Sequence, residues 1–228
     1  MKKHSAKKFH GPFPLKATLV ALAIVSGIVM LAAFRDGNDK SGNSNMYDTI
    51  RDGNEKPENN KHVEANKDSI ESVKAFMKVY SVLMSPRCMN CHPAGDAPLQ
   101  GDDNHVHTMN VVRGPNGTGM YAVKCSNCHQ PTNAPGPHAP PGNPKWQLPP
   151  SDMKMVFQGK TARQLALQIM NYNQNGNKNK AQLLEHAKDT LVKSAWNMGE
   201  GRTPPPMSYT AFVSVWNEWI KKGGYAPK

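Results

Sequence analysis

Two stretches, Cys88-Met89-Asn90-Cys91-His92 and Cys125-Ser126-Asn127-Cys128-His129, organise the rest of this chain. Each reads C-x-x-C-H, the pattern typical of covalent haem attachment, and together they hold all four cysteines of the protein. Two thiols three positions apart on a helical turn can bond one porphyrin edge, while the adjacent histidine reaches the iron. The sequence therefore predicts two covalently bound haem c groups, attached through Cys88, Cys91, Cys125 and Cys128.

A single C-x-x-C has other interpretations, namely a redox dithiol, a zinc knuckle or half of a disulfide framework. Here the pattern occurs twice, each copy is followed directly by histidine, and no cysteine is left over. Zinc or disulfide chemistry is therefore the minor alternative.

His92 and His129 are expected to bind the two irons on the proximal side. The sixth position decides function, because a bound Met or His closes the iron for electron transfer, whereas an open position admits peroxide or oxygen. The histidines and methionines that could fill it are His105, His107, Met109, Met120, His138, Met153, Met155, Met170, His186, Met198 and Met207.

We predict His107 as the ligand of one iron, because it lies midway between the two motifs and can reach either. We predict Met155 as the ligand of the other, because it follows the pair Pro149-Pro150, which stiffens the loop that presents the thioether. The reserve candidates are His186, Met109 and Met207. A Met ligand on one iron and a His ligand on the other would separate the two reduction potentials.

The amino-terminal part carries the marks of export. Residues 1–16 contain five lysines and no acid, and residues 17–34 are uncharged. At about 1.5 Å per residue these 18 positions span about 27 Å, enough to cross a bilayer, and no A-x-A-like cleavage site ends them. We expect a transmembrane anchor in the inner membrane with the haem domain in the periplasm; a cleaved signal peptide is the alternative.

Beyond the apolar segment, residues 35–66 are polar and predict a disordered linker, and residues 67–228 form the haem domain. Four helices are expected in that domain: one from Asp68 to Met84, one opened by a capping box at Thr161 and running to Tyr172, one from Lys180 to Trp196, and one capped by Ser208. In the first helix the predicted apolar face is Ile70, Val73, Met77, Tyr80 and Met84.

No segment alternates like a strand, so the fold is expected to be all-α and rich in loops. Only 38% of the residues are hydrophobic, and the chain has 19 prolines and 18 glycines. Two buried porphyrins would supply the apolar surface that such a chain lacks.

The chain is basic, with a formal net charge of +11. It has no basic helix or aromatic platform, so nucleic acid is not an expected partner. The charge favours an acidic redox partner protein or a membrane surface, and solubility alone is an equally good explanation.

The order of motifs resembles bacterial diheme cytochromes c, in which C-x-x-C-H-P precedes a His-containing loop that ends in Arg-Gly, and a C-x-x-C-H-Q follows. The matching elements are Cys91-His92-Pro93, His107 with Arg113-Gly114, Cys128-His129-Gln130, Trp146 to Pro150, Met155 to Gly159, Leu184-Glu185-His186 and Gly201-Arg202. The resemblance implies a class I-like helix before the first motif and directs attention to His107, Met155 and His186. It also implies an electron-transfer subunit, in some members beside a molybdenum-containing dehydrogenase.

The leading hypothesis is a membrane-tethered periplasmic electron carrier rather than an enzyme, moving single electrons between redox partner proteins. The alternative is a diheme peroxidase-like enzyme with one open haem iron. Peroxidases of that type resemble two separate cytochrome domains, whereas only 37 positions separate Cys88 from Cys125 here. That spacing favours two haems in one domain.

Overall fold

The structure, a computed structural model, describes the chain from residue 57 to residue 228. About 38% of these residues are helical and 5% are in strands, which confirms the expected helix-rich, strand-poor fold. The helices are α1 (Pro57–Leu83), α2 (Pro86–Met89), α3 (Ala162–Met170), α4 (Lys180–His186), α5 (Thr190–Ser194) and α6 (Tyr209–Lys221). None of these helices is both long enough and apolar enough to cross a membrane.

The few strands form two small antiparallel sheets between the cysteine motifs. One pairs β1 (Leu99–Gln100) with β2 (His105–Val106), and the other pairs β3 (Gly119–Met120) with β4 (Val123–Lys124). Strands of two residues are too short to show an alternating pattern in the sequence, which is why none was predicted.

Helix α1 begins at Pro57, so residues 57–66, which we predicted as linker, are helical. Proline is well tolerated at the first helical position, and extending an existing helix costs far less than nucleating one. Polar composition alone was therefore a poor guide to where the helix starts. The segments 1–16 and 17–34 and the rest of the predicted linker lie outside the described residues.

The core is built where α1 packs on α6. Phe76 is fully buried against Trp219, with 4.5 Å between the ring centroids, and Val79 is equally buried. The apolar face predicted for α1 is wrong at Ile70 and Met77, which are about half exposed, whereas Tyr80 and Met84 do pack against the core. The second half of α1 has apolar residues on more than one face, and contact with α6 determines which face is buried.

Polar contacts hold α1 and α6 together at their far end. The Ser72 hydroxyl donates to the carbonyl of Trp219 at 3.0 Å and accepts from the amide of Tyr225 at 3.0 Å. The ammonium of Lys222 lies between the carboxylates of Asp68 and Glu71. These contacts fix the helix that leads into the first cysteine motif.

Helices α3 to α5 cover the remaining side of the core. The predicted capping box is confirmed, since the Thr161 hydroxyl accepts from the Gln164 amide at 3.2 Å and the Thr161 amide donates to the Gln164 side-chain oxygen at 3.0 Å. The single helix predicted from Lys180 to Trp196 is instead split into α4 and α5. Asp189 accepts from the amide of Leu191 at 2.8 Å and so caps a new helix after the break.

Candidate functional site

The first motif begins on α2 and continues as a tight turn. The amide of Cys91 donates to the carbonyl of Cys88 at 3.2 Å, and the amide of His92 donates to that of Met89 at 3.0 Å. This turn places both thiols and the imidazole on the wall of one cavity of ≈ 540 Å³. That volume lies within the range of about 300–1,000 Å³ in which proteins bind small molecules and cofactors.

The ring of His92 is held from two sides. Its Nδ1 lies 2.7 Å from the carbonyl oxygen of Met155, and the ring stacks on Phe157 with 3.8 Å between centroids and an interplanar angle of 9°. Because a carbonyl only accepts, Nδ1 carries the proton and Nε2 keeps its lone pair for a metal. Burial lowers the pKa of His92 to about 4, so the imidazole is neutral at physiological pH, as metal binding requires.

Met155 thus contacts His92 through its backbone. Its φ of 48° lies in the left-handed region, which few residues other than glycine adopt. The carbonyl of Met155 binds the Nδ1 edge of His92, so this backbone lies behind the ring rather than in front of Nε2. The prediction that the Met155 sulphur binds an iron stays a prediction.

The second motif repeats this arrangement with different residues. A 3₁₀ turn over Cys125–Asn127 brings the amide of His129 to 2.9 Å from the carbonyl of Cys125. The Nδ1 of His129 lies 2.7 Å from the carbonyl oxygen of Pro141, and its ring stacks on Trp146 at 4.1 Å and 9°. Nε2 is again left free, and burial lowers the pKa of His129.

His107 lies beside the second motif histidine, with the two rings at an interplanar angle of 64°. The two ring centroids are 6.3 Å apart, and the Nδ1 of His107 lies 2.6 Å from the carbonyl oxygen of Thr108. Imidazole nitrogens bind first-row metals at about 2.0 Å, so two rings on opposite sides of one metal have centroids about 6 Å apart. The geometry brings His107 and His129 to the separation that a shared metal requires.

The thiols of the two motifs influence each other electrostatically. Burial raises the pKa of the Cys91 thiol to about 11, and Cys125 of the other motif adds a smaller increase. All four cysteines are unpaired thiols, as porphyrin attachment requires and a disulfide framework does not.

A buried arginine lies between the motifs. Arg113 has no exposed surface and donates from its guanidinium to the carbonyls of Pro149 at 2.5 Å and Gly95 at 3.2 Å. Its Nε has no hydrogen-bond partner and lies 3.7 Å from a carboxylate oxygen of Asp96. The positive charge of Arg113 lowers the pKa values of both Cys91 and His92, so the guanidinium is close to the first motif.

The other candidate ligands are spread over the domain. Met153, His186 and Met198 line the cavity of the first motif. Met109 is 76% exposed, and Met207 packs on the core while its carbonyl accepts from the Trp196 indole at 2.7 Å.

Among the described residues no three His, Cys, Asp or Glu side chains converge on one point. A haem iron takes four ligands from the porphyrin, so it needs only one or two protein side chains. Comparisons with protein-family models, curated proteins and solved structures give no match for this chain.

The residues that support the motif histidines were not predicted from the sequence. In the sequence, Phe157 and Trp146 are distinguished only as members of segments that resemble diheme cytochromes. The one available signal was that an aromatic residue lies close to a proline or a methionine in both segments.

Proposed function

We propose that this protein is a diheme c-type cytochrome that transfers single electrons between redox partner proteins. The observation that carries this proposal is the matched support of the two motif histidines, each with Nδ1 on a carbonyl, its ring on an aromatic side chain, and Nε2 free. Such outer-shell contacts orient a metal-binding histidine and increase its basicity.

The residues present fit two haem c groups. Cys88 and Cys91 would anchor the first through thioethers, and the cavity that they line is largely apolar. Cys125 and Cys128 would anchor the second, where His129 and His107 face each other. When bound, the haem supplies a one-electron iron couple.

Electron transfer is favoured over peroxidase chemistry because His107 lies near His129 and would fill the sixth position of the iron that His129 holds. A pair of imidazoles closes an iron to peroxide and holds its geometry through the redox change. The electrostatic influence of Cys125 on Cys91 supports electron exchange between two groups within one domain.

We expect two covalently bound haems per chain. Pyridine haemochrome absorbance per mole of protein, combined with the intact mass, should return two, because each motif has both thiols and no spare cysteine exists. Replacing Cys91 or Cys128 by alanine should remove one thioether and sharply lower the yield of mature protein. An intact mass with one haem or none in the wild type contradicts the proposal.

We further propose that residues 17–34 anchor the protein in the inner membrane, with the haem domain in the periplasm. The protein should then sediment with membranes and keep its basic residues 1–16, because an uncharged segment of this length is stable in a bilayer. Cell fractionation and amino-terminal sequencing of the mature protein measure this. A soluble protein that begins near Phe34 would instead mean that the segment is a cleaved signal peptide.

A further inference from the structure

We propose that His186 is the sixth ligand of the iron held by His92, so that both irons have two histidine ligands. This inference rests on the proposed function, since it presupposes a haem in the cavity of the first motif. It replaces the thioether of Met155 with an imidazole at that position.

His186 lies on the wall of the same cavity as Cys88, Cys91 and His92. His92 and His186 are 94 positions apart in the chain, yet both lie on the wall of this one cavity. The fold therefore brings the two imidazoles to the same cavity.

The ring of His186 is free to bind a ligand. Among the described residues, neither of its nitrogens takes part in a hydrogen bond, whereas the motif histidines and His107 each have one nitrogen engaged. Only the backbone of His186 is hydrogen-bonded on this side, since its carbonyl accepts from the amide of Asp189 at 3.0 Å. His186 is exposed and lies on the cavity wall, so a group that fills the cavity can reach its ring.

The helix that carries His186 is rigidly placed. Leu183 and Ala187, on either side, are almost completely buried in the cluster that also contains Phe157, the residue stacked on His92. The indole of Trp216 donates to the carbonyl of Leu183 at 2.9 Å. Ligands presented by fixed helices hold a metal more reproducibly than ligands on loops.

The break between α4 and α5 follows directly after His186. A continuous helix through residues 187 to 189 would carry the chain straight on from this position. The observed turn instead leaves His186 as the last residue of α4 at the cavity wall. The helix break, which the sequence did not predict, therefore lies directly after the proposed ligand.

Three methionines, Met153, Met155 and Met198, line the same cavity and are the competing ligands. The backbone of Met155 lies behind His92, on its Nδ1 edge. The segment that carries Met198 is hydrogen-bonded to the loop that follows the second motif. Its carbonyl accepts from Arg202, which also donates to the carbonyl of His138, and the neighbouring carbonyl of Asn197 accepts from Asn133.

The test compares His186→Ala with Met198→Leu and Met155→Leu in the purified two-haem protein. We expect the wild type to lack the near-infrared methionine-to-iron band. His186→Ala should convert one of the two low-spin ferric signals in the electron paramagnetic resonance spectrum to high spin, and once reduced should bind one carbon monoxide per chain. Both methionine variants should keep the wild-type spectra.

A methionine-to-iron band in the wild type that disappears in Met198→Leu or Met155→Leu would overturn the inference, as would wild-type spectra and no carbon monoxide binding in His186→Ala. If His186→Ala does not accumulate, His186→Met is read instead, and a changed low-spin signal supports the assignment while an unchanged one overturns it. Failure of the proposed function is separate, because it appears as a wild-type haem count other than two.

Discussion

Replacing His107 by alanine should open the second iron, so that the reduced variant binds one carbon monoxide per chain. The reason is the 6.3 Å separation of the His107 and His129 rings, which fits two imidazoles on one metal. Loss of one nitrogen ligand should also convert one ferric haem from low spin to high spin. Carbon monoxide titration and electron paramagnetic resonance of the purified holoprotein measure both changes.

The chain offers a matched control two positions away. His105 is exposed, and its Nδ1 lies 2.6 Å from a carboxylate oxygen of Asp103. His105→Ala removes the same chemical group from the same hairpin and should leave both spectra and carbon monoxide binding at wild-type values. If the two variants behave alike, the imidazole of His107 is not an iron ligand.

Replacing Arg113 by methionine should lower the reduction potential of the first haem by a large amount. Reduction adds one negative charge, which a nearby buried cation stabilises. Two unit charges about 8 Å apart at an effective dielectric constant of about 20 interact by about 2 kcal/mol, equal to about 90 mV for a one-electron couple. A redox titration followed at the haem absorbance bands measures the shift.

The same substitution should destabilise the fold by roughly 1–3 kcal/mol for each carbonyl left without a donor, those of Pro149 and Gly95, while Asp96 keeps its ion pair with Lys154 at 2.8 Å. Arg113→Lys keeps the charge and should therefore keep most of the potential while losing much of the stability. Asp96→Asn removes the opposing charge and should raise the potential, by less, because Asp96 is 58% exposed. Unchanged potentials in Arg113→Met would refute the electrostatic role.

Several features could be predicted because their cause is local in the sequence. Thr161 and Gln164 form a capping box within four residues, and Ser208 caps α6 through the amide of Ala211 at 3.2 Å. The prediction of His107 used its position between the motifs and the resemblance to diheme cytochromes c, and the structure does bring its ring to within 6.3 Å of His129. Whether it binds iron stays a prediction.

The features that the sequence did not predict depend on contacts between residues far apart in the chain. The carbonyl of Met155 reaches His92 over 63 positions, and no spacing rule predicts that a methionine will act through its backbone. The buried face of α1 is selected by Trp219, which is 143 positions from Phe76. Periodicity shows that a helix has an apolar side, but only its packing partner determines which side is covered.

The position of α6 has a consequence for the order of maturation under the proposed function. Phe212 and Trp216 of this helix form part of the cavity wall, yet Tyr209 comes 118 positions after Cys91 in the chain. In the folded domain, burial raises the pKa of the Cys88 thiol to about 12, so the thiol is protonated. We therefore expect haem to be attached before α6 packs against α1. A chain that completed its core first would close the cavity before the cofactor entered it.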